Sequence, residues 1–218
     1  MEDIDAIALL QDPVRRRLYE FVAAQGREVG RGEAAEAAGV ARTLAAFHLD
    51  KLVDAGLLEA GSRRLTGRSG PGAGRPAKVY RRSAAERDVS LPARDYRTAA
   101  VLLAEAAETA GLDMELQDAA RRRGRALRGK SSAFDGLDRL AGVLADRGYE
   151  PVMDDDGAVL RMRNCPFHAV AEQFPPLVCG MNLALLEGLV EGSQVRVRMD
   201  PRPGWCCVAA ATSKNNEH

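Results

Sequence analysis

The sequence ARTLAAFHLDKLVDAGLLE, residues 41–59, predicts a helix that is followed at once by a strand. Four apolar residues recur at helical spacing and should form one buried stripe: Leu44, Phe47, Leu52 and Ala55. Gly56 stands where glycine commonly ends a helix, and the apolar residues after it restart the chain in an extended form. The stretch therefore predicts the third helix of a helix-turn-helix and the first strand of a wing.

The opposite face of this predicted helix is short, polar and basic. It carries Arg42, Thr43, His48 and Lys51. A helix of this kind fits the major groove of double-stranded DNA, which is about 12 Å wide. We therefore expect Arg42, Thr43 and His48 to contact base edges. Lys51 should contact phosphate.

Two further helices should complete a three-helix core before this stretch. Asp12 is a favourable N-cap for a helix that starts at Pro13 and ends near Gly26. Its buried side should contain four apolar residues: Val14, Leu18, Phe21 and Val22. A second helix is predicted over residues 32–38, and Gly39 allows the tight turn into the third helix.

After residue 58 the chain becomes rich in glycine, serine, proline and arginine, until the segment KVYR, residues 78–81, predicts a returning strand. A hairpin with a long tip at this place is typical of a wing. Its basic residues should contact phosphates: Arg63, Arg64, Arg75 and Lys78. The alternative is a solvated, disordered loop.

The distribution of charge supports one local nucleic-acid-binding surface. The chain has 31 basic and 31 acidic residues and no formal net charge. Residues 60–82 nevertheless contain seven basic residues and no acidic one. The acidic start lacks a signal-peptide core, and no apolar run is long enough to span a membrane, so we expect a cytoplasmic protein.

Three segments together resemble the ArsR/DeoR-type winged-helix transcriptional regulators: DPVRRRLYEFV, GEAAEAAGVARTLAAFHLDKLVDAGLLE and GRPAKVYRR. The resemblance covers roughly residues 10–82 and is most specific at the wing return, GRPAKVY. It implies a winged helix-turn-helix that binds double-stranded DNA.

Residues 93–128 are predicted to form two helices after a polar connector. Five residues should share one face of the first helix: Ala99, Leu102, Leu103, Ala106 and Ala110. Winged-helix regulators usually dimerise through helices placed here, so the resemblance implies a homodimer on a palindromic operator. The alternative is a pair of ordinary core helices. The pattern GxxxxGK[ST] at residues 124–131 follows a charged helix rather than a buried strand, so we expect no nucleotide site there.

The last part of the chain alternates predicted strands and helices. A helix over residues 134–147 precedes a hairpin over 149–163, and two helices follow. Closing strands are predicted at 194–199 and 205–210. This order of elements is typical of a small α+β domain.

All the cysteines lie in this part: Cys165, Cys179, Cys206 and Cys207. Pro166 suits the first position of a helix, so Cys165 is its predicted N-cap, where the helix dipole should lower the thiol pKa. The wide spacing excludes a zinc ribbon, which uses paired CxxC segments. Adjacent residues of a strand point to opposite faces, so only one of Cys206 and Cys207 should join the other two thiols.

Three converging thiolates suit an iron–sulphur cluster with a further ligand or an open position. His168 is a candidate for that ligand, and the alternative is a hydrogen-bonded surface histidine. The cysteines have alternatives of their own, as buried apolar residues, zinc ligands or redox-active thiols.

The segments NCPFHAVAEQFPPLVCGMNLALLEGLVEG and DPRPGWCCVA resemble the sensor domain of the SufR-type iron–sulphur-assembly repressors. The resemblance implies a homodimer with a 4Fe–4S or 2Fe–2S cluster on three cysteines. These correspond to Cys165, Cys179 and one of Cys206 and Cys207.

We therefore expect an α+β protein with a winged helix-turn-helix over residues 1–82, a helical dimerisation segment over 83–130 and a sensor domain over 131–218. Its predicted function is that of a DNA-binding transcriptional repressor that responds to cluster or redox status. The alternative is a regulator with the same DNA-binding domain that senses zinc, thiol oxidation or an apolar small ligand. The chain has three histidines, no Ser-His-Asp set and no recognisable pair of catalytic carboxylates, which disfavours an enzyme.

Overall fold

The computed structural model of the chain describes residues 3–63, 76–128, 134–154 and 156–212. The chain forms two compact units, residues 1–94 and 95–218. The predicted dimerisation segment, residues 83–130, is therefore divided between them. Its helices belong to the same compact unit as the cysteines.

Four helices and a small sheet make up the described part of the N-terminal unit. The helices are α1 (Asp3–Ala8), which runs into a 3-10 turn at Leu9–Gln11, α2 (Pro13–Gln25), α3 (Arg31–Ala38) and α4 (Arg42–Asp54). The strands are β1 (Val29–Gly30), β2 (Leu58–Arg63) and β3 (Ala77–Arg82), which pair antiparallel in the order β1-β3-β2. Because β2 and β3 follow the three-helix core as a hairpin, the predicted winged helix-turn-helix is confirmed.

Local sequence signals set the ends of the helices in this unit. Two backbone N–H groups in the first turn of α2 donate to the Asp12 carboxylate at 2.9 Å, which confirms Asp12 as the N-cap. Gly56 follows α4 with a φ of 71°, a conformation that favours glycine. The N–H of Gly56 donates to Val53, and that of Leu57 donates to Leu52, each at 2.9 Å. This pattern stops α4 and turns the chain directly into β2.

One core fixes α4 against the rest of the N-terminal unit. Its buried members come from the helices and from the sheet: Leu18, Val22, Val29, Ala34, Ala45, Leu49, Leu52, Leu58 and Tyr80. Burial of this apolar surface is the main favourable term that holds the position of α4.

The C-terminal unit combines helices with a four-stranded antiparallel sheet. The described helices are α5 (Tyr96–Thr109), α6 (Asp113–Arg128), α7 (Leu137–Ala145), α8 (His168–Ala171) and α9 (Pro175–Val190). The strands are β4 (Pro151–Met153), β5 (Val159–Met162), β6 (Val195–Met199) and β7 (Val208–Thr212), in the order β4-β5-β7-β6. Helices α7 and α9 share a core with one face of this sheet. The predicted α+β fold class is confirmed.

Two glycines allow α6 and α9 to pack with their backbones in contact. A Cβ on Gly124 would lie 2.7 Å from the backbone nitrogen of Leu189. A Cβ on Gly188 would meet the backbone of Arg121 in the same way. Gly124 is thus a packing residue inside a helix, and the pattern GxxxxGK[ST] begins within that helix. Residues 129–133 of that match lie outside the described ranges.

Within the described ranges, every helix is too short or too polar to cross a lipid bilayer.

Candidate functional site

The face of α4 that packs into the core differs from the prediction. The buried residues are Ala45, His48, Leu49 and Leu52. Leu44 and Phe47, which were predicted to be buried, are 41% and 55% exposed. The predicted stripe is therefore wrong at these two positions, although Leu52 and Ala55 are buried as expected. The helix packs closely through the small side chain of Ala45 and turns its larger apolar residues outward.

His48 lies on the inner side of α4 and is 6% exposed. Its ring packs edge-on against the ring of Phe47, with centroids 5.3 Å apart. Among the described residues, its Nδ1 atom is buried without a hydrogen-bond partner. The predicted outward placement of His48 is wrong, so we do not retain its assignment to a base edge.

The outer face of α4 is exposed and combines polar, basic and aromatic side chains. Thr43, Phe47 and Lys51 follow one another at intervals of four residues and are all exposed. Arg42 is also exposed, at the start of the helix. Within the described ranges, neither Arg42 nor Lys51 has an acidic partner. Both cations are therefore available to an anionic ligand.

Asp50 connects α4 to the wing. The hydroxyl of Tyr80 donates to the Asp50 carboxylate at 2.8 Å, and Lys78 Nζ lies 2.7 Å from the same oxygen. Arg31 donates to the Tyr80 hydroxyl from α3 at 3.4 Å. Burial acts to raise the pKa of Asp50, but the hydrogen bonds from Lys78 and Tyr80 outweigh it and hold this pKa below its ordinary value. These contacts fix the base of the wing beside the outer face of α4.

Two of the predicted phosphate-binding residues are described at the base of the wing. Lys78 forms the ion pair with Asp50 described above, and the side chain of Arg63 lies 3.5 Å from that of Glu28. Both basic side chains remain at least 40% exposed, so these are surface ion pairs that a phosphate can replace at low cost. Arg64 and Arg75 lie outside the described ranges.

The four cysteines come together in the C-terminal unit. Cys165 lies in the loop after β5, Cys179 lies in α9, and Cys206 and Cys207 directly precede β7. Electrostatic interactions link the thiols of Cys165 with Cys206, Cys206 with Cys207, and Cys207 with Cys179, so the four side chains are neighbours. All four are free, and Cys206 is the most buried.

Both members of the Cys206–Cys207 pair belong to this cluster, so the prediction that only one faces the other thiols is wrong. The pair lies before β7 rather than inside it, and the alternation of side chains along a strand does not apply. The backbone N–H of Cys206 donates to Met162, and the carbonyl of Cys207 accepts from Asp200, each at 2.8 Å. These two bonds hold the segment with both thiols inward.

The acid–base behaviour of the thiols also differs from the prediction. The hydrogen bond with Cys206, together with burial, raises the pKa of Cys165. Hydrogen bonds from Cys165 and Cys207 lower the pKa of Cys206. The helix after Cys165 starts at His168, with Phe167 at the N-cap, so Cys165 is not in the predicted capping position. Of Cys165, Cys206 and Cys207, Cys206 is therefore the thiol that most readily carries negative charge.

A buried amide supports Cys206 from α9. The side-chain N–H of Asn182 donates to Cys206 Sγ at 3.4 Å, and the Tyr149 hydroxyl donates to Asn182 Oδ1 at 2.6 Å. Asn182 is fully buried. Neither residue was predicted as part of the site, although the single asparagine within the apolar helix segment LVCGMNLALL was a detectable signal.

His168 is separate from the thiol cluster. Its side chain is 67% exposed, and Nε2 lies 3.2 Å from Glu172 one turn further along. This arrangement fits the alternative of a surface histidine, and we do not retain His168 as a ligand.

The donor set fits a metal or cluster by chemistry, because thiolates are the preferred ligands of zinc and iron–sulphur centres. Among the described residues, no three His, Cys, Asp or Glu side chains have the arrangement that holds a metal ion. The donors are thus suitable, but they do not form a single-ion site.

Comparison with known proteins identifies the N-terminal unit. Residues 9–60 match the family model of a helix-turn-helix domain. The comparisons with curated proteins and with solved structures gave no significant match. The matched residues run from the 3-10 turn through α2, α3 and α4 into β2, so they contain the outer face of α4. The chain therefore carries a helix-turn-helix domain of the kind found in DNA-binding transcription regulators.

Proposed function

We propose that the protein is a homodimeric winged-helix repressor whose C-terminal cysteines bind an iron–sulphur cluster and link its presence to operator binding. The observation that carries this proposal is the convergence of four free thiols in a chain that also contains a helix-turn-helix domain. A regulator needs a DNA-binding surface and a site that responds to a signal, and these two features are the candidates.

The DNA-binding part of the proposal rests on charge and exposure. Arg42 and Thr43 stand at the start of α4, where a recognition helix contacts base edges. Lys51, Lys78 and Arg63 lie on the same helix or on the adjoining wing and would contact phosphates. Arg64 and Arg75 would contact phosphates too, and this part of the proposal rests on the sequence alone.

The cluster part rests on the chemistry of the thiols. Cys165, Cys179 and one or both of Cys206 and Cys207 would hold the cluster. When bound, an iron–sulphur cluster supplies a group that responds to oxidants and to iron supply. The chain itself supplies partly buried sulphur donors on three separate segments, so binding would fix those segments relative to one another.

The homodimer rests on an exposed apolar face of α5. The residues on this face are Tyr96, Ala99, Leu102, Leu103 and Ala106. An exposed row of this kind is typical of an interface. Two copies would place two recognition helices on a palindromic site.

In the first experiment, the protein is purified without oxygen and assayed for iron and acid-labile sulphide. Its absorbance is measured at about 400 nm, where iron–sulphur proteins absorb. We expect Cys165→Ser and Cys179→Ser to lose iron and colour. At least one of Cys206→Ser and Cys207→Ser should lose them as well. His168→Ala is the matched control and should keep both. A parent protein that contains zinc alone, or four variants that keep full iron, would contradict the cluster.

The proximity of the thiols favours one second candidate, a thiol–disulphide switch. The thiol of Cys165 interacts with that of Cys206, and the thiol of Cys207 interacts with that of Cys179. An added oxidant such as a diazene dicarboxamide would take two electrons from one such pair. The two thiols would release two protons and form one S–S bond. If the purified protein lacks metal, loses free thiols in pairs and then changes its DNA affinity, this second candidate replaces the cluster.

A further inference from the structure

Phe47 stands at the centre of the exposed face of α4. It is 55% exposed, with Thr43 one turn before it and Lys51 one turn after it. Leu44 is the next exposed apolar residue, at 41%. The N-terminal unit buries less than half of Phe47, so a ligand with an apolar group could bury more of this ring.

The surroundings of Phe47 define the charge of that ligand. Arg42 and Lys51 lie on the same helix and have no acidic partner among the described residues. Lys78 is held beside α4 through Asp50. A small apolar patch bordered by cations matches a polyanion that presents an apolar group. In the major groove of DNA, the apolar group on the base edges is the C5-methyl of thymine, and phenylalanine is among the side chains that contact it.

We propose that Phe47 is a specificity-determining residue that packs against a thymine methyl group in each half-site of the operator. This inference rests on the proposed DNA-binding function and adds the base that the helix selects. His48 acts as a positioning residue, because its buried ring packs edge-on against the Phe47 ring at 5.3 Å and limits the orientations of that ring.

The proposal separates two kinds of contact on one surface. Lys51 and the wing cations neutralise phosphates, which strengthens binding to every duplex and makes it depend on salt. Phe47 carries no charge, so its contact should depend on one base and remain independent of salt. The two contributions can therefore be measured separately.

The test uses the full-length protein and a duplex that it selects from a random double-stranded DNA library. Each thymine of the selected duplex is replaced in turn by uracil, which lacks only the C5-methyl group. At one thymine per half-site, uracil should weaken binding of the wild-type protein by about fourfold, which is the loss expected for one buried methyl group. Phe47→Ala should bind the original duplex with the same loss and show no further loss with uracil.

Two variants serve as matched controls. Phe47→Leu keeps an apolar contact and should retain part of the preference for thymine. Lys51→Ala should weaken binding to all duplexes and flatten the salt dependence, while its sensitivity to uracil stays that of the wild type. Circular dichroism and thermal unfolding verify that Phe47→Ala is folded, which we expect because the ring is exposed.

The outcomes distinguish the inference from the proposed function. If the wild type selects no duplex, the DNA-binding proposal fails and this inference fails with it. If the wild type binds a selected duplex but tolerates uracil everywhere, or if Phe47→Ala keeps the full sensitivity, only the role of Phe47 is wrong. A Phe47→Ala protein that changes its oligomeric state instead of its base preference would assign the ring to a protein interface.

Discussion

Asn182 has two buried partners, and the three residues depend on one another. It accepts from the Tyr149 hydroxyl and donates to Cys206 Sγ. Burial raises the pKa of Tyr149, so this hydroxyl keeps its proton and remains a donor. Removal of one partner leaves a buried polar group without a hydrogen bond, which costs more than the bond itself contributes.

We expect Asn182→Leu to lower the free energy of unfolding by about 1–3 kcal/mol, because the Tyr149 hydroxyl and the Cys206 thiol each lose a partner. Tyr149→Phe should cost less, and the double variant should cost less than the sum of the two. Chemical unfolding followed by the fluorescence of Trp205, the single tryptophan, measures all three. Strictly additive losses would show that the network is not cooperative.

At the level of the elements, the close contact between α6 and α9 requires glycine at positions 124 and 188. A Cβ at Gly124 would lie 2.7 Å from the backbone nitrogen of Leu189, closer than packed atoms allow. Ion pairs flank the contact, including Arg121 with Glu187 at 2.8 Å. These surface pairs contribute little to stability, so the close packing of the two backbones is the main term.

We expect Gly124→Ala to destabilise the C-terminal unit by about 1–3 kcal/mol, because the methyl group forces the helices apart. Gly142→Ala in α7 is the matched control. Nothing lies within 4 Å of the Cβ that it would add, and alanine should stabilise that helix by up to about 1 kcal/mol. Thermal unfolding of both variants verifies the contrast. If Gly124→Ala were as stable as Gly142→Ala or more stable, the two helices would not pack this closely.

At the level of the whole molecule, the proposed dimer depends on α5. Leu103 is 72% exposed, at the centre of the apolar face. A row of exposed apolar residues with leucine at its centre suits a core shared by two chains. The proposed repressor needs that dimer because one winged helix contacts too few bases for a unique site.

We expect Leu103→Asp to weaken the dimer at least about tenfold, since a carboxylate would be desolvated in the interface. Its affinity for a two-half-site duplex should fall with it. Glu105→Gln, on the other side of α5, changes charge by the same amount and should leave the dimer intact. Light scattering across a range of protein concentrations measures both. A Leu103→Asp protein that remains dimeric would place the interface elsewhere.

The sequence by itself determined the order of elements and the ends of the main helices in the N-terminal unit. The Asp12 cap and the Gly56 turn depend on residues within a few positions of one another, and each was predicted correctly. The hairpin after them was also predicted, from the apolar segments on either side of a tip rich in glycine and proline. The helix-turn-helix and the mixed α+β class followed from these local signals. Local hydrogen bonds and backbone conformations can be predicted because their partners are close in the chain.

Only the tertiary structure decided which side of α4 is buried and how the thiols meet. Hydrophobicity favoured Phe47 for the core and His48 for the surface, but Ala45 and His48 are buried and Phe47 is exposed. Cys206 and Cys207 point inward together because backbone bonds to Met162 and Asp200 hold their loop. These outcomes depend on the shape of partners that are distant in the sequence, and one-dimensional periodicity carries no information about that shape.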